Sequence, residues 1–309
     1  MNKTVLVTGA SGLVGSALKD IHKKYPPTFK FVSSADCNLC DFKQTVKLFE
    51  NIKPHYCIHL AADVGGLLKN INNNVSMLEN NLLMNFNVVK CCHDFKVEKG
   101  VFCLSTCIFP DDTQYPIDET MIHNGPPHTS NEGYAYSKRM LEIHVRQYAN
   151  MGDNFVCVIP TNIYGPHDNF SLIDGHVIPS LIHKCYLAKK NNTPFVIGGS
   201  GRPLRQFIYS RDLAELIMWT LECDISGNII LSCSEQDEIS IETLGRIISQ
   251  EFQYNNVVYD NTIPDGQYKK TATNTKLLQH HQSYTFTSID IGIKNTIQWF
   301  INNFDYCRT

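Results

Sequence analysis

The 309-residue sequence lacks an excess of charge of either sign: 27 Lys and Arg stand against 30 Asp and Glu, a formal net charge of −3. A nucleic-acid-binding surface needs a basic excess, so no nucleic-acid partner is expected. The chain also lacks any apolar run near the roughly 20 residues that cross a bilayer, so it is not expected in a membrane. Its opening, Met1-Asn2-Lys3-Thr4, passes straight into a strand-like run that ends in glycines. A secretory signal would end at a small-residue cleavage site instead, so secretion is not expected. The Cys37-x-x-Cys40 pair has no second cysteine pair, and no histidine pair at ligand spacing, to complete a structural zinc site. No metal is therefore expected. Several of the 12 cysteines, Cys57, Cys103 and Cys157 among them, sit inside apolar runs. They read as reduced thiols of a cytosolic protein rather than as a disulfide framework. No internal repeat appears, and the Asn-rich stretch Asn70 to Asn74 reads as a polar loop.

What is present is alternation. Lys3 to Thr8 (KTVLVT) is β-branched and apolar, a buried strand, and a helical pattern follows it through His22. Strands are predicted again at Phe29–Ser33, His55–Leu60, Val101–Leu104 and Phe155–Pro160. Helices are predicted between them at Asp41–Asn51, Met77–Phe95 and Asn131–Asn150. Such regular β/α alternation predicts an α/β fold: a doubly wound parallel sheet with helices on both faces. Beyond residue 165 the pattern loosens into shorter elements. We expect a dinucleotide-binding part over 1–165 plus about 206–233. A smaller, interleaved α/β substrate domain is expected over about 166–205 and 234–309.

Between the first strand and first helix lies Gly9-x-x-Gly12-x-x-Gly15. Glycines there allow a tight turn, close backbone approach to a pyrophosphate and close packing of the helix, whose N-terminus faces the phosphates. The second strand ends in Ser33-Ser34-Ala35, with Asp36 only afterwards. A carboxylate at the strand end would favour NAD, and its absence favours NADP, although no Arg or Lys stands there to hold a 2′-phosphate. Asp36 is either a contact to adenine or a loop residue. Tyr134-x-x-x-Lys138 falls in a predicted helix, where residues four apart share a face. The ammonium is expected to lower the phenol's pKa and make it a tuned proton donor to a carbonyl. Ser105, just after the fourth strand, can polarise the same carbonyl.

Glycine loop, Ser105, Tyr134 and Lys138 in this order resemble the extended short-chain dehydrogenase/reductase family. The runs Leu104 to Pro110, Pro160 to Phe170, Asp174 to Pro179, Ser200 to Tyr209 and Pro264-Asp265-Gly266 are more specific. They resemble the branch of that family that turns GDP-4-keto-6-deoxy-D-mannose into GDP-L-fucose with NADP(H). The resemblance implies Ser105, Tyr134 and Lys138 as the reducing triad. It implies Cys107 and His176 as the acid–base pair that moves protons on the carbons beside the ketone. For the cofactor it implies Gly9, Ser11, Gly12, Leu13, Val14, Gly15, Ser33, Asp36, Ala61, Ala62, Asn162 and His176 beside Tyr134 and Lys138. For the GDP-sugar it implies Asn81, Asn162, Lys184, Arg205 and Lys270. His167 is a rival to His176, and its run is expected to shape the nucleotide-sugar site. The resemblance further implies a homodimer joined through the helices Met77–Phe95 and Asn131–Asn150. Some family members carry basic residues near the 2′-phosphate, where this sequence has Ser11 and Ser33-Ser34-Ala35. A 4-epimerase or a 4,6-dehydratase on the same fold is the alternative. The Thr-Asp-Glu of a dehydratase is absent, and a 4-epimerase needs no Cys/His pair.

Overall fold

A computed structural model describes residues 3–309 apart from 264 and 266. Met1, Asn2 and two residues of Pro264-Asp265-Gly266 thus lie outside the described residues. Five strands, β1 (Thr4–Thr8), β2 (Thr28–Val32), β3 (Tyr56–His59), β4 (Lys99–Cys103) and β5 (Phe155–Pro160), join a strand at Gly227–Leu231 in one six-stranded sheet. Its order is Gly227–Leu231, β5, β4, β3, β1, β2, and every pairing is parallel. Strand order reverses at β1, which has β2 on one side and β3 on the other. In open α/β sheets a ligand crevice opens at such a reversal, beyond the carboxyl ends of the strands.

Successive residues of a strand point to opposite faces. Leu6, Cys57, Phe102 and Cys157 therefore enter one core, beneath α2 (Phe42–Ile52) and the helices Asn74–Asp94 and Glu132–Asn150. Val5, Val7, Ile58, Val101, Val156 and Val158 enter the other, beneath α1 (Leu13–Ile21) and the helix Ser210–Glu222. Burial on both faces explains the unbroken apolar runs of the sequence.

A third core is built by Ile178, Leu181, Ile182 and Cys185 on the helix Val177–Asn191, with Leu244, Ile248, Ile293, Ile297 and Phe300. Two short strands, Phe195–Gly198 and Val257–Asp260, pair in parallel beside it. Leu277, Tyr284 and Phe286 return to the core under the main sheet. A link between the two regions is the pairing of Asn162–Tyr164 with Phe207–Tyr209. The stretch Asn70 to Asn74, expected as a loop, is helical: Leu67–Asn72 and then Asn74–Asp94. Asn70 is buried, and its side-chain amide donates to the carbonyls of Gly65 and Gly66, at 2.7 and 2.9 Å, so its polarity is used inside the turn. No helix among the described residues is long and apolar enough to cross a membrane.

Candidate active site

A cavity of about 680 Å³ opens over the carboxyl ends of β1, β3, β4 and β5. Its floor is the glycine loop. Gly9 holds φ +73, and a Cβ there would lie 2.6 Å from the backbone nitrogen of Ala61. A Cβ on Gly15 would lie 2.4 Å from the Gly9 carbonyl oxygen. The first glycine therefore lets the loop touch the end of β3, and the third seats α1 on the loop. Gly12 is the N-cap of α1 and carries no side-chain cap, which leaves the helix N-terminal amides for a ligand. This cradle fits a dinucleotide. All the expected cofactor residues except Asp36 line the cavity. Asp36 turns back instead, accepting from the Ser33 backbone N–H at 2.8 Å and the Ser33 hydroxyl at 2.7 Å. It is a loop residue that closes the turn after β2, and no basic side chain stands at Ser33 or Ser34.

Beneath the floor, β1 and β3 are tied by buried polar groups. The Thr8 hydroxyl meets His59 Nδ1 at 2.7 Å, and His59 Nε2 meets Asn85 Oδ1 at 3.0 Å. Burial first, and then the Lys138 charge, hold His59 down to about 3, so its ring is neutral.

Helix Glu132–Asn150 delivers Tyr134 and Lys138 to the cavity from one face. The Lys138 ammonium donates to the Cys103 carbonyl at 2.7 Å and lies 5.8 Å from the Tyr134 ring centre. The expectation that Lys138 lowers the phenol's pKa is corrected here. Burial holds Tyr134 well above the usual phenol range, and the neighbouring Cys107 and Cys103 push the same way. The phenol keeps its proton. Burial also lowers the Lys138 pKa.

Ser105 lines the cavity at the end of β4, and its Oγ accepts from the Cys107 backbone N–H at 3.4 Å. Cys107 sits behind it in a short 3₁₀ turn, only 8% exposed and off the cavity wall itself. Burial pushes the thiol up, while Lys270 is the strongest of the influences that oppose it. Burial in turn lowers Lys270. His176 is the N-cap of the helix Val177–Asn191. Its ring reaches the water of the cavity but is closely surrounded by protein, and this crowding, then Arg308, lowers its pKa.

Asn162 lines both this cavity and a smaller one of about 220 Å³, which also includes Arg205, Gly198, Gly201 and Asp265. Ser200 donates to Asp265 from its backbone, at 2.8 Å, and from its hydroxyl, at 2.6 Å, closing that smaller wall. Three expected substrate residues, Asn81, Lys184 and Lys270, do not line either cavity. Asn81 is wholly buried, and its amide is spent on the 63 loop: Oδ1 accepts from Asp63 N–H, while Nδ2 donates to the carbonyls of Asp63 and Met77. Lys184 lies on the helix Val177–Asn191, away from both cavities. His167, the rival histidine, packs on Trp299 with ring centres 4.6 Å apart and points at Asp20, 3.8 Å away.

Sequence reasoning missed Asp63, Asp168, Asn169 and Arg308 on the cavity wall. For Asp168 and Asn169 a signal existed, since both stand in the Gly165 to Phe170 run. Arg308 had none. Among the described residues no cluster suits a metal ion.

The comparisons agree with this geometry. The model of the NAD dependent epimerase/dehydratase family matches residues 5–230. The chain is 53% identical to GDP-L-fucose synthase of Dictyostelium discoideum over 99% of this chain and 98% of that protein. It is 46% identical to a probable GDP-L-fucose synthase of Drosophila melanogaster over 99% of each. A GDP-L-fucose synthetase from Naegleria fowleri, solved bound to NADP, superposes with a TM-score of 0.94 at 46% identity, covering 99% of this chain and 95% of that one. With its parallel sheet, its glycine cradle and Tyr134 and Lys138 in one cavity, the chain belongs to the NAD dependent epimerase/dehydratase family.

Proposed function

We propose that this protein is an NADPH-dependent epimerase-reductase that converts GDP-4-keto-6-deoxy-D-mannose to GDP-L-fucose. The observation that carries the reading is one cavity lined by Ser105, Tyr134, Lys138 and His176, with the Cys107 backbone bonded to the Ser105 hydroxyl. When bound, NADPH supplies the hydride. The glycine loop and the α1 N-terminus hold its pyrophosphate, and Asn162 and His176 stand at its nicotinamide end. Cys107 and His176 exchange protons with the carbons on either side of the ketone, one taking and the other returning, so that the configuration inverts. Ser105 and Tyr134 donate hydrogen bonds to the ketone oxygen while that carbanion exists, which spreads its charge. Tyr134, kept protonated by burial, then gives its proton to the same oxygen during reduction. Lys138 fixes the phenol's surroundings from below. Arg205, with a guanidinium that can fork to a phosphate, and Lys270 receive the GDP-sugar. In this reading residues 1–165 with about 206–233 serve the cofactor, and the remainder serves the sugar nucleotide.

The protein acts as a homodimer in the cytosol. Leu83 and Phe86 on the helix Asn74–Asp94, and Tyr136 and Met140 on the helix Glu132–Asn150, are exposed large apolar side chains on two helices that pack together. Phe86 and His144 stack across that pair with ring centres 5.2 Å apart. All 12 cysteines are unpaired.

The test supplies the purified protein with NADPH and GDP-4-keto-6-deoxy-D-mannose. The expected result is loss of NADPH absorbance with GDP-L-fucose as the product on chromatography. Folded protein that binds NADPH but leaves this ketone untouched would overturn the substrate assignment and move it to another nucleotide-sugar.

A further inference from the structure

Three cationic side chains, Lys69, Lys138 and Arg308, stand on the wall of the large cavity among the described residues. Two are engaged. Lys69 pairs with Asp63 at 2.8 Å, and Lys138 donates to the Cys103 carbonyl at 2.7 Å beneath Tyr134. Arg308 is held in place without a salt bridge to a carboxylate. The Arg308 backbone carbonyl accepts from the Phe170 N–H at 2.7 Å, and residues 169 and 308 form a parallel bridge. One guanidinium nitrogen, Nη2, donates to the His167 carbonyl at 2.6 Å. No carboxylate among the described residues lies within 4.0 Å of it.

Asp168 stands on the same wall. Asp168 is 3% exposed, and its Oδ2 has no hydrogen-bond partner although the residue lines the cavity. In the same cavity, the first turn of α1 contributes amides but no charged side chain: residues 13 to 16 are Leu, Val, Gly and Ser. A dinucleotide pyrophosphate brings two negative charges to that N-terminus. Helix amides supply a partial positive charge only.

We infer that Arg308 is a cofactor-binding residue whose guanidinium, in the cavity it shares with the glycine loop, pairs with the dinucleotide pyrophosphate. The strap of Asn169 and Phe170 holds its backbone, so the side chain is presented ready for the anion. A planar fork suits two phosphate oxygens where an ammonium would meet them only as a point charge. The inference rests on the dinucleotide reading of the cavity. It also assigns a cation to a cofactor that finds none at Ser33 and Ser34.

The test is fluorescence titration of NADPH and of NADH into wild type, Arg308→Gln and Arg308→Lys. Pyrophosphate is common to both cofactors. Arg308→Gln is therefore expected to raise both dissociation constants by the same factor, about tenfold or more for a lost charge-assisted pair. Arg308→Lys is expected to recover part of that loss, and added salt to narrow the difference between wild type and Arg308→Gln. Dissociation constants within twofold of wild type for both cofactors would overturn the inference. A loss confined to NADPH would also overturn it, because it would place the charge at the 2′-phosphate. So would a raised KM for the GDP-sugar with unchanged NADPH binding. Should Arg308→Gln fail to fold, Arg308→Lys decides: a cofactor affinity equal to wild type at every salt concentration would overturn the inference. If wild type binds neither dinucleotide, the cofactor reading itself fails, which is a separate outcome.

Discussion

The two ends of the central cavity are built by opposite means. At the cofactor end, backbone does the work: Gly9 and Gly15 bring loop, strand and helix into contact, and the Thr8–His59–Asn85 chain below satisfies polar groups within the fold. At the sugar end, side chains from distant segments converge, and several hold unfavourable states. Burial pushes the Cys107 thiol up and lowers Lys270. A cradle for a constant ligand can be rigid and satisfied. A site that must take and return protons holds groups whose charge is finely balanced.

The comparison breaks most sharply at Tyr134, which belongs to both ends. Tyr134→Phe removes the hydroxyl proposed to protonate the ketone oxygen and keeps the ring. Reduction is expected to fall by about 10³-fold, with NADPH affinity unchanged by fluorescence titration. A variant that still reduces within tenfold of wild type would move the proton donor elsewhere. Cys107→Ser acts on the sugar end alone. Deuterium uptake from heavy water into the substrate is expected to drop about 10²-fold, while both ligands still bind. Unchanged deuterium uptake would remove Cys107 from the acid–base pair.

The same contrast governs what the sequence makes legible. Gly9-x-x-Gly12-x-x-Gly15 and Tyr134-x-x-x-Lys138 are local. Their spacing alone sets which atoms share a turn or a helix face, and both are found where that logic puts them. Asp36 and Asn81 show that a polar residue near a site can be engaged elsewhere. Asp36 bonds Ser33, and Asn81 bonds the backbone of Asp63 and Met77. Arg308 was illegible for the opposite reason, since its position depends on His167, 141 residues earlier in the chain. Only the folded chain brings those two together. Lys138 shows a third kind of gap: its spacing from Tyr134 was readable, but not the burial that outweighs its charge.

Lys270 tests whether the sugar end is tuned by charge. Its ammonium is the strongest influence favouring the Cys107 thiolate. Lys270→Met should therefore push the thiol higher still and move the alkaline-rising limb of the epimerisation rate to higher pH. At neutral pH and saturating substrate a loss of about tenfold is expected, recovering as pH rises. An unshifted limb, with only KM changed, would leave Lys270 as a substrate-binding residue and nothing more.

The smallest expected effect lies at Asp168, and it appears in stability rather than rate. Burial raises this carboxyl from 3.8 to about 7, against the weaker pull of the Asn169 backbone N–H and the Arg308 charge. Between those two values the folded protein holds a proton that the unfolded chain has released. Stability from this group is therefore full below the unfolded value and is lost as pH rises toward 7. Asp168→Asn keeps the shape and cannot ionise, so it escapes that loss. Relative to wild type, the variant should gain about 1–2 kcal/mol between pH 5 and pH 8 in urea unfolding, part of the full linkage being relaxed by water and by Arg308. A difference between the two proteins that stays constant across this range would mean that the carboxyl already ionises in the fold without penalty. The unpartnered oxygen would then have found a partner in solution, and burial at Asp168 would carry no cost that the rest of the cavity avoids.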